Sequence, residues 1–372
     1  MRCLDALLTS LAADFGSSVG SAGAAVSAYA LSYSGFQLVG GPLGDRVGPY
    51  RVITGAAYLS AVAAAACAFA SSLAGLIALR FVAGAVAAAI GPLVLAWISG
   101  AFAAQQRPLA LARMTAAAIG GTLAGQGGGG VLGGVVGVAG VFVALSLVFA
   151  ASGAALFTMA RRRPSLLKRP SASTIRQRRR SGLLPLLGRP AVGRVLVAVA
   201  VQGVAIHLCL AYVGALLEGR FAVGPTRAGL LVALYGLGGL AFVLLAPRIL
   251  DRSTPAVRAG TGGAILGAGF VAFALSDAQA TAAAALFAIG FGFLLLHNVL
   301  QVMASDMAPD ALGRSLSLFA AASVMAQALG AALGGLLYDR IGATALCLLS
   351  ATILSGLGSA LAVKLRAAER QG

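Results

Sequence analysis

The chain has 372 residues, of which 59% are hydrophobic and only 10% are charged, and it contains 51 glycines. Soluble domains carry about 25% charged residues on average, so this composition excludes an ordinary water-soluble protein. The net charge of +17 does not indicate nucleic-acid binding, because the basic residues lie between apolar windows and not on one soluble face.

Apolar windows follow one another along the whole chain. A spanning helix needs about 20 mostly apolar residues, and open sheet edges are excluded from lipid. The sequence therefore predicts an all-α polytopic membrane protein with eleven complete helices after a fragment at 1–14. The predicted ranges are 18–40, 52–72, 74–98, 110–134, 138–160, 190–217, 225–248, 256–276, 278–303, 313–337 and 342–364.

A basic segment separates two groups of predicted helices. We predict an N-terminal helix bundle at 1–160, a cytoplasmic linker at 161–189 and a C-terminal bundle at 190–372. The linker is interpreted as a solvated connection whose charges follow the topology, and binding of anionic lipid is the alternative. With the linker in the cytoplasm, 22 of the 27 basic residues lie on that side. The positive-inside rule then predicts a multi-pass protein of the plasma (inner) membrane with a cytoplasmic C-terminus.

The two groups of helices are related by an internal repeat. Residues 15–49 align without gaps on residues 221–255, with eleven identities in 35 positions that include Tyr29 with Tyr235 and Asp45 with Asp251. Six helices per half in the same orientation form a parallel repeat. On this plan the first helix begins before Met1. Two explanations stay open, namely a start placed too late or a chain with eleven complete helices.

The stretch GGPLGDRVGPYRV at 40–52 carries the first functional pattern. It resembles the signature loop between the second and third helices of the major facilitator superfamily, with Pro49 and Tyr50 departing from the family's basic position. The resemblance implies a fold of two six-helix bundles and a cytoplasmic lock between conformations; a plain topogenic loop is the alternative. The proposed lock residues are Gly41, Leu43, Asp45, Arg46, Gly48 and Arg51, echoed in the second half by Asp251 and Arg252.

Two further patterns lie in the fourth and fifth helices. RFVAG, from Arg80 to Gly84, resembles a family pattern in which the arginine relays protons or binds an anionic group, with Ala83 in place of the pattern's glutamine. Snorkelling of Arg80 to the outer surface is the alternative. GTLAGQGGGG, at 121–130, is similar to the antiporter-type pattern, with Gln126 in place of its proline. This likeness implies a drug:proton antiporter-type exporter. Glycines of these patterns and their repeat mates are predicted to allow close helix packing: Gly84, Gly121, Gly125, Gly129, Gly130, Gly330 and Gly334.

Polar side chains within the predicted spans are candidates for coupling or substrate binding, because such residues face the interior of a bundle. They are Arg80, Tyr29, Tyr235, Gln126, His207, His297 and Gln301. No carboxylate lies deep in a complete predicted span. We therefore expect the coupling residue on the first helix, upstream of Met1. A histidine, or a carrier that is not driven by protons, is the alternative.

The predicted function is secondary transport of a small organic solute by alternating access, in the form of proton-coupled efflux. The alternatives are a proton-coupled uptake symporter and a non-transporting or truncated pseudo-carrier. No nucleotide-binding loop is present, and we predict neither enzyme activity, nor a cofactor, nor a metal. The expected partners are the solute, protons and the lipid bilayer, without nucleic acid, and the chain is expected to be a monomer. The four separated cysteines are interpreted as small packing residues.

Overall fold

A computed structural model describes residues 2–102, 106–167, 184–308 and 312–370. Short 3-10 turns lie at Arg2–Leu4 and Pro164–Leu167, and the remaining elements of the described chain are α-helices. In chain order they are α1 (Leu8–Asp14), α2 (Val19–Val47), α3 (Pro49–Ala68), α4 (Leu73–Ala87), α5 (Ile90–Ala101), α6 (Arg107–Arg162), α7 (Leu184–Leu187), α8 (Pro190–Leu210), α9 (Val213–Phe221), α10 (Pro225–Arg252), α11 (Pro255–Ala274), α12 (Gln279–Asp306) and α13 (Leu312–Glu369).

Local sequence signals explain where several helices begin. Proline suits the first turn of a helix, because the amide it lacks would have no partner there. The Ser72 hydroxyl caps α4 by accepting a hydrogen bond from the Gly75 amide at 3.1 Å, and the Thr254 hydroxyl accepts one from the Val257 amide at 3.4 Å. The helices that start with proline are α3, α8, α10 and α11.

The two longest helices are each broken by one glycine. Gly137 in α6 has φ 71° and ψ 177°, and Gly342 in α13 has φ 75° and ψ 165°. Only glycine adopts this backbone region readily. The two breaks are 205 positions apart, the offset that also relates the glycine stretches at 125–130 and 330–335. The structure therefore repeats the same break at equivalent places in the two halves.

The described helices agree with the predicted spans to within a few residues at most ends, but the predicted helix 74–98 is divided between α4 and α5, and the predicted helix 190–217 between α8 and α9. Eight described segments are long and apolar enough to cross a membrane, and two of them, Gly120–Arg162 and Ser315–Glu369, contain the glycine breaks. The predicted loop at 41–51 is different, because α2 continues to Val47 and α3 starts at Pro49. Only Gly48, with φ 102°, interrupts the two helices. The polar residues before it end a helix and do not form a loop.

The chain divides into two units. The first contains residues 25–124 and 136–182, and the second contains residues 2–24, 125–135 and 183–372. Small apolar clusters, such as Tyr29 with Ala83 and Ala87, hold α2 to α4 in the first unit. A single large core that includes Ile206, Phe270 and Leu296 holds the second.

This division into units does not test the predicted bundle boundaries, which remain a prediction. The segments 2–24 and 125–135 belong to the predicted N-terminal bundle, yet they pack with the second unit. Of the predicted linker at 161–189, residues 168–183 lie outside the described chain.

Candidate functional site

A buried arginine lies in the first unit. Arg80, on the third turn of α4, is 4% exposed. Its Nε donates a hydrogen bond to the Ala25 carbonyl of α2 at 3.3 Å. The guanidinium carbon lies 4.2 Å from the centre of the Tyr29 ring and 5.8 Å from that of Phe142. Two aromatic faces therefore stabilise the cation through their ring quadrupoles.

The Arg80 guanidinium retains unused donor capacity. Its buried Nη2 has no hydrogen-bond partner within the described part of the chain. A buried charge without a counter-ion is costly, because aromatic contacts recover only part of the lost hydration. An anionic group placed against Nη2 would supply the missing partner.

Close packing of α2 on α4 keeps this arginine in place. A Cβ on Gly84 would collide with the Ser32 hydroxyl and the Tyr29 backbone, so only glycine permits this approach. The Tyr33 ring stacks on Tyr29, with 6.1 Å between ring centres. Gly84 therefore packs as its sequence pattern predicts.

In the second unit, an aromatic row surrounds a buried histidine. Rings of Tyr235 and Phe293 lie 6.2 Å apart, and His297 lies 5.2 Å from both Phe293 and Phe319. The His297 Nδ1 lies 2.8 Å from the Gln202 Oε1. This amide–imidazole pair is a hydrogen-bonding group within an apolar wall. Gln202 is 1% exposed, and the sequence analysis did not single it out as a site residue.

Three other polar candidates are not brought into these clusters. The Nδ1 of buried His207 lies 3.2 Å from the Gly203 carbonyl, one turn earlier on its own helix. Gln301 is exposed, although it follows His297 by one turn. The side chain of Gln126 lies outside the described residues.

The signature stretch forms the end of α2 and the start of α3. Leu43, Arg46 and Arg51 are exposed, and Asp45 is half-buried. Asp251 and Arg252 are exposed at the end of α10. Gly41 lies within α2. The lock assigned to these residues stays a prediction.

Tyr50, which departs from the family pattern, has a structural role. It is 4% exposed, its hydroxyl donates a hydrogen bond to the Leu156 carbonyl at 2.9 Å, and its ring packs 5.6 Å from Trp97. The residue joins α3 to the end of α6 and to α5. An apolar ring with one satisfied hydroxyl explains why a charged residue is not required here.

Two glycine crossings join segments of both sequence halves within the second unit. In the first crossing, a Cβ on Gly130 of α6 would lie 2.6 Å from the Gly229 Cα of α10. A Cβ on Gly229 would lie 2.7 Å from the Gly130 Cα. Gly129 meets the Cys3 backbone in the same way. Backbones approach this closely only where side chains are absent.

The second crossing joins α2 to α13. A Cβ on Gly20 would collide with the Gly335 carbonyl and with Asp339. The Ser18 hydroxyl donates a hydrogen bond to the Asp339 Oδ2 at 2.5 Å. The Tyr212 hydroxyl fills the space beside Gly23 and donates to the Ala331 carbonyl at 2.8 Å.

The two crossings lie at equivalent positions of the internal sequence repeat. The sequence repeat pairs Gly23 with Gly229 at an offset of 206, and Gly130 with Gly335 at 205. Of the predicted packing glycines, Gly330 and Gly334 also meet backbone of α8 closely. Gly121 and Gly125 do not, since a Cβ on either would meet no described atom within 4 Å. Close packing therefore occupies only the end of the predicted glycine groove.

A buried carboxylate lies beside these crossings. Asp5 is 1% exposed, and its backbone carbonyl is so near α9 that a Cβ on Gly214 would lie 2.6 Å from it. Sequence analysis missed Asp5 because it assigned residues 1–14 to a helix fragment; the signal was a lone acid in the apolar run CLDALLTSLAA.

Comparison with known proteins decides the family. The sequence profile described as Major Facilitator Superfamily matches residues 1–323 and 221–371. The chain belongs to the Major Facilitator Superfamily. The predicted all-α polytopic fold and the recognised superfamily are thereby confirmed. Among curated proteins, none matches this chain.

Two solved structures show the same superfamily fold. A mutant of the peptide transporter POT matches with a TM-score of 0.74 and 16% identity, over 99% of this chain and 91% of that chain. The POT family transporter PepTSo matches with a TM-score of 0.72 and 15% identity, over 100% of this chain and 95% of that chain. Family and fold indicate a multi-pass secondary transporter and not an enzyme. At this identity the likeness carries the fold and no substrate.

Proposed function

We propose that this superfamily member is a proton-coupled exporter of small organic anions that works by alternating access. The observation that carries the proton coupling is the burial of Asp5. A carboxylate enclosed next to α9 can bind a proton without exposing a charge to lipid. This assignment replaces the expectation that the coupling residue lies upstream of Met1.

The solute class follows from Arg80. Arg80 is 4% exposed, its Nη2 donor has no partner among the described residues, and its guanidinium lies next to the Tyr29 ring. An anionic group would satisfy the charge and the donor together, and an aromatic body would suit Tyr29. We therefore assign small aromatic carboxylates or sulfonates as the solute class.

The glycine crossings supply a conformational device for this proposal. Gly130 against Gly229 and Gly20 against Gly335 hold segments of the two sequence halves in contact. We propose that both crossings form in one state of the cycle and separate in another. The equivalent positions of the two crossings in the repeat support opening and closing as one event.

The export direction and the orientation come from the sequence. The glycine pattern ending at Gly130 resembles that of antiporter-type exporters, and 22 of the 27 basic residues favour one side of the membrane. We propose a plasma (inner) membrane protein with the C-terminus in the cytoplasm, which functions as a monomer. Proton-coupled uptake is the competing direction.

Flux from proteoliposomes tests the proposal. The full chain is reconstituted into vesicles loaded with radiolabelled naphthalene-2-sulfonate, which stays anionic across the pH range used. Export by antiport predicts faster efflux when the outside is made acidic, relative to equal pH on both sides. Faster efflux with an alkaline outside would assign symport instead. Efflux no faster than from protein-free vesicles would contradict transport of this solute class.

A further inference from the structure

Two of the four cysteines meet in the second unit. Cys209 of α8 and Cys347 of α13 are 138 positions apart, and their Sγ atoms lie 2.6 Å from each other. They are 0% and 1% exposed, and both are free thiols in the structure. The sequence analysis interpreted all four cysteines as separate packing residues, because spacing alone does not reveal this contact.

Hydrogen bonds of a nearby arginine hold the helices that carry the two thiols together. The Arg220 guanidinium on α9 donates hydrogen bonds to the Phe273 carbonyl at 2.9 Å, the Ser276 carbonyl at 3.4 Å and the Thr344 hydroxyl at 3.1 Å. Thr344 lies one turn before Cys347 on the same helix. Arg220 therefore joins α9 to the end of α11 and to the part of α13 that follows Gly342, close to the cysteine pair. The two sulfur atoms are near enough to form a covalent bond of about 2.05 Å.

The depth of the pair favours oxidation from the non-cytoplasmic side. Cys347 follows the break at Gly342 by five residues, which is about 8 Å of helix. The proposed orientation places that break at the outer surface. Disulfides form and persist in compartments outside the cytoplasm.

We propose that Cys209 and Cys347 form a disulfide that joins α8 covalently to the last part of α13. While the chain is still packing, the thiolate of one cysteine attacks the disulfide of an outer-compartment thiol–disulfide oxidoreductase and gives a mixed disulfide. The second thiolate attacks the sulfur of the first cysteine and displaces the oxidoreductase. One S–S bond replaces two S–H bonds, and both electrons and both hydrogens leave on the oxidoreductase dithiol.

The bond would change stability without changing the shape of the site. It closes a long loop in the unfolded chain, and such links stabilise a fold mainly by restricting the unfolded ensemble. Helix α8 and the last part of α13 would then be covalently joined to each other.

Thiol counting on the full-length protein tests this inference. Membranes are lysed directly in SDS that contains a small alkylating agent, so that every free thiol is blocked, and the purified chain is then reduced and labelled with a maleimide polymer. The inference predicts two thiols released by reduction, with a cross-linked peptide containing Cys209 and Cys347 in non-reducing digests. All four thiols already alkylated at lysis, with no such peptide, would overturn it.

Matched cysteine variants assign the bond. Cys209→Ser and Cys347→Ser should each leave no thiol to be released by reduction, whereas Cys67→Ser should still release two. Reductant should lower the melting temperature of the wild-type chain and of Cys67→Ser. If Cys209→Ser does not fold, the wild-type peptide and the Cys67→Ser control still decide the question. If reductant changed the melting temperature of neither the wild-type chain nor Cys67→Ser, the proposed disulfide would be contradicted.

Discussion

At the scale of single residues, the two units bury charged groups for opposite chemical purposes. Arg80 is a buried cation, and its two ring contacts compensate only part of its desolvation. Asp5, 1% exposed, can become neutral by binding a proton. The first group suits a bound anion and the second suits a carried proton.

Arg80→Gln tests the anion assignment through two changes of opposite sign. Removing a buried charge without a counter-ion should raise the melting temperature of the ligand-free protein. A lost hydrogen bond to a charged group is worth about 1.5–3 kcal/mol, so the KM for naphthalene-2-sulfonate should rise roughly ten- to hundredfold. Thermal unfolding and vesicle flux measure the two effects.

The matched control for that experiment is Arg113→Gln, which removes an exposed arginine of α6. It should change neither the melting temperature nor the KM. An Arg80→Gln protein that folds normally and transports the sulfonate with the wild-type KM would remove Arg80 from the binding site.

At the scale of helices, glycine determines both where elements meet and where they break. Gly130 and Gly229 meet where no side chain fits, whereas Gly137 and Gly342 interrupt α6 and α13 through positive φ. These roles depend on different properties of glycine, namely small size and backbone freedom. Each role predicts a different result of substitution.

Gly130→Val tests the crossing. The added side chain would collide with the Gly229 Cα and the Pro225 carbonyl, so the close contact should not form. We expect folded protein with sulfonate flux reduced to the level of protein-free vesicles. Gly128→Val is the control on the same helix, since a Cβ there meets no described atom within 4 Å. Wild-type flux from a folded Gly130→Val protein would separate the crossing from the transport cycle.

Gly342→Ala tests the helix break by stability alone. A non-glycine residue in this backbone region costs about 1–3 kcal/mol, so the melting temperature should fall. Gly356→Ala, in the same helix with helical geometry and open space, should be neutral or stabilising, because alanine favours helix by roughly 0.5–1 kcal/mol. Equal shifts for both variants would show that positive φ at Gly342 is not the cause.

At the scale of the whole molecule, the repeat and the hydropathy pattern made most of the fold predictable. Windows of apolar residues placed the helices, and the match of residues 15–49 to 221–255 predicted the parallel halves. The polar end of α2 was misplaced because a hydropathy window ends at the first charges, whereas the helix runs on to Val47.

The sites were less predictable, because side-chain contacts between distant helices leave no local pattern. RFVAG indicated the buried Arg80, and tertiary packing confirmed its burial. Nothing in the spacing of Gln202 and His297, or of Cys209 and Cys347, indicates that they meet. Asp5 was passed over because it packs against α9, which lies some 200 positions away in the sequence.

Proton movement in Asp5→Asn vesicles tests the central claim most directly. Wild-type and variant proteins are reconstituted with a pH-sensitive dye inside, and efflux of naphthalene-2-sulfonate is followed together with internal pH, with exposed Asp277→Asn as the control. We predict that the wild type and Asp277→Asn acidify the vesicle interior during efflux. Asp5→Asn should still exchange the sulfonate between the two sides but should move no protons and should not respond to a pH gradient. Proton movement by Asp5→Asn equal to that of the wild type would contradict the account.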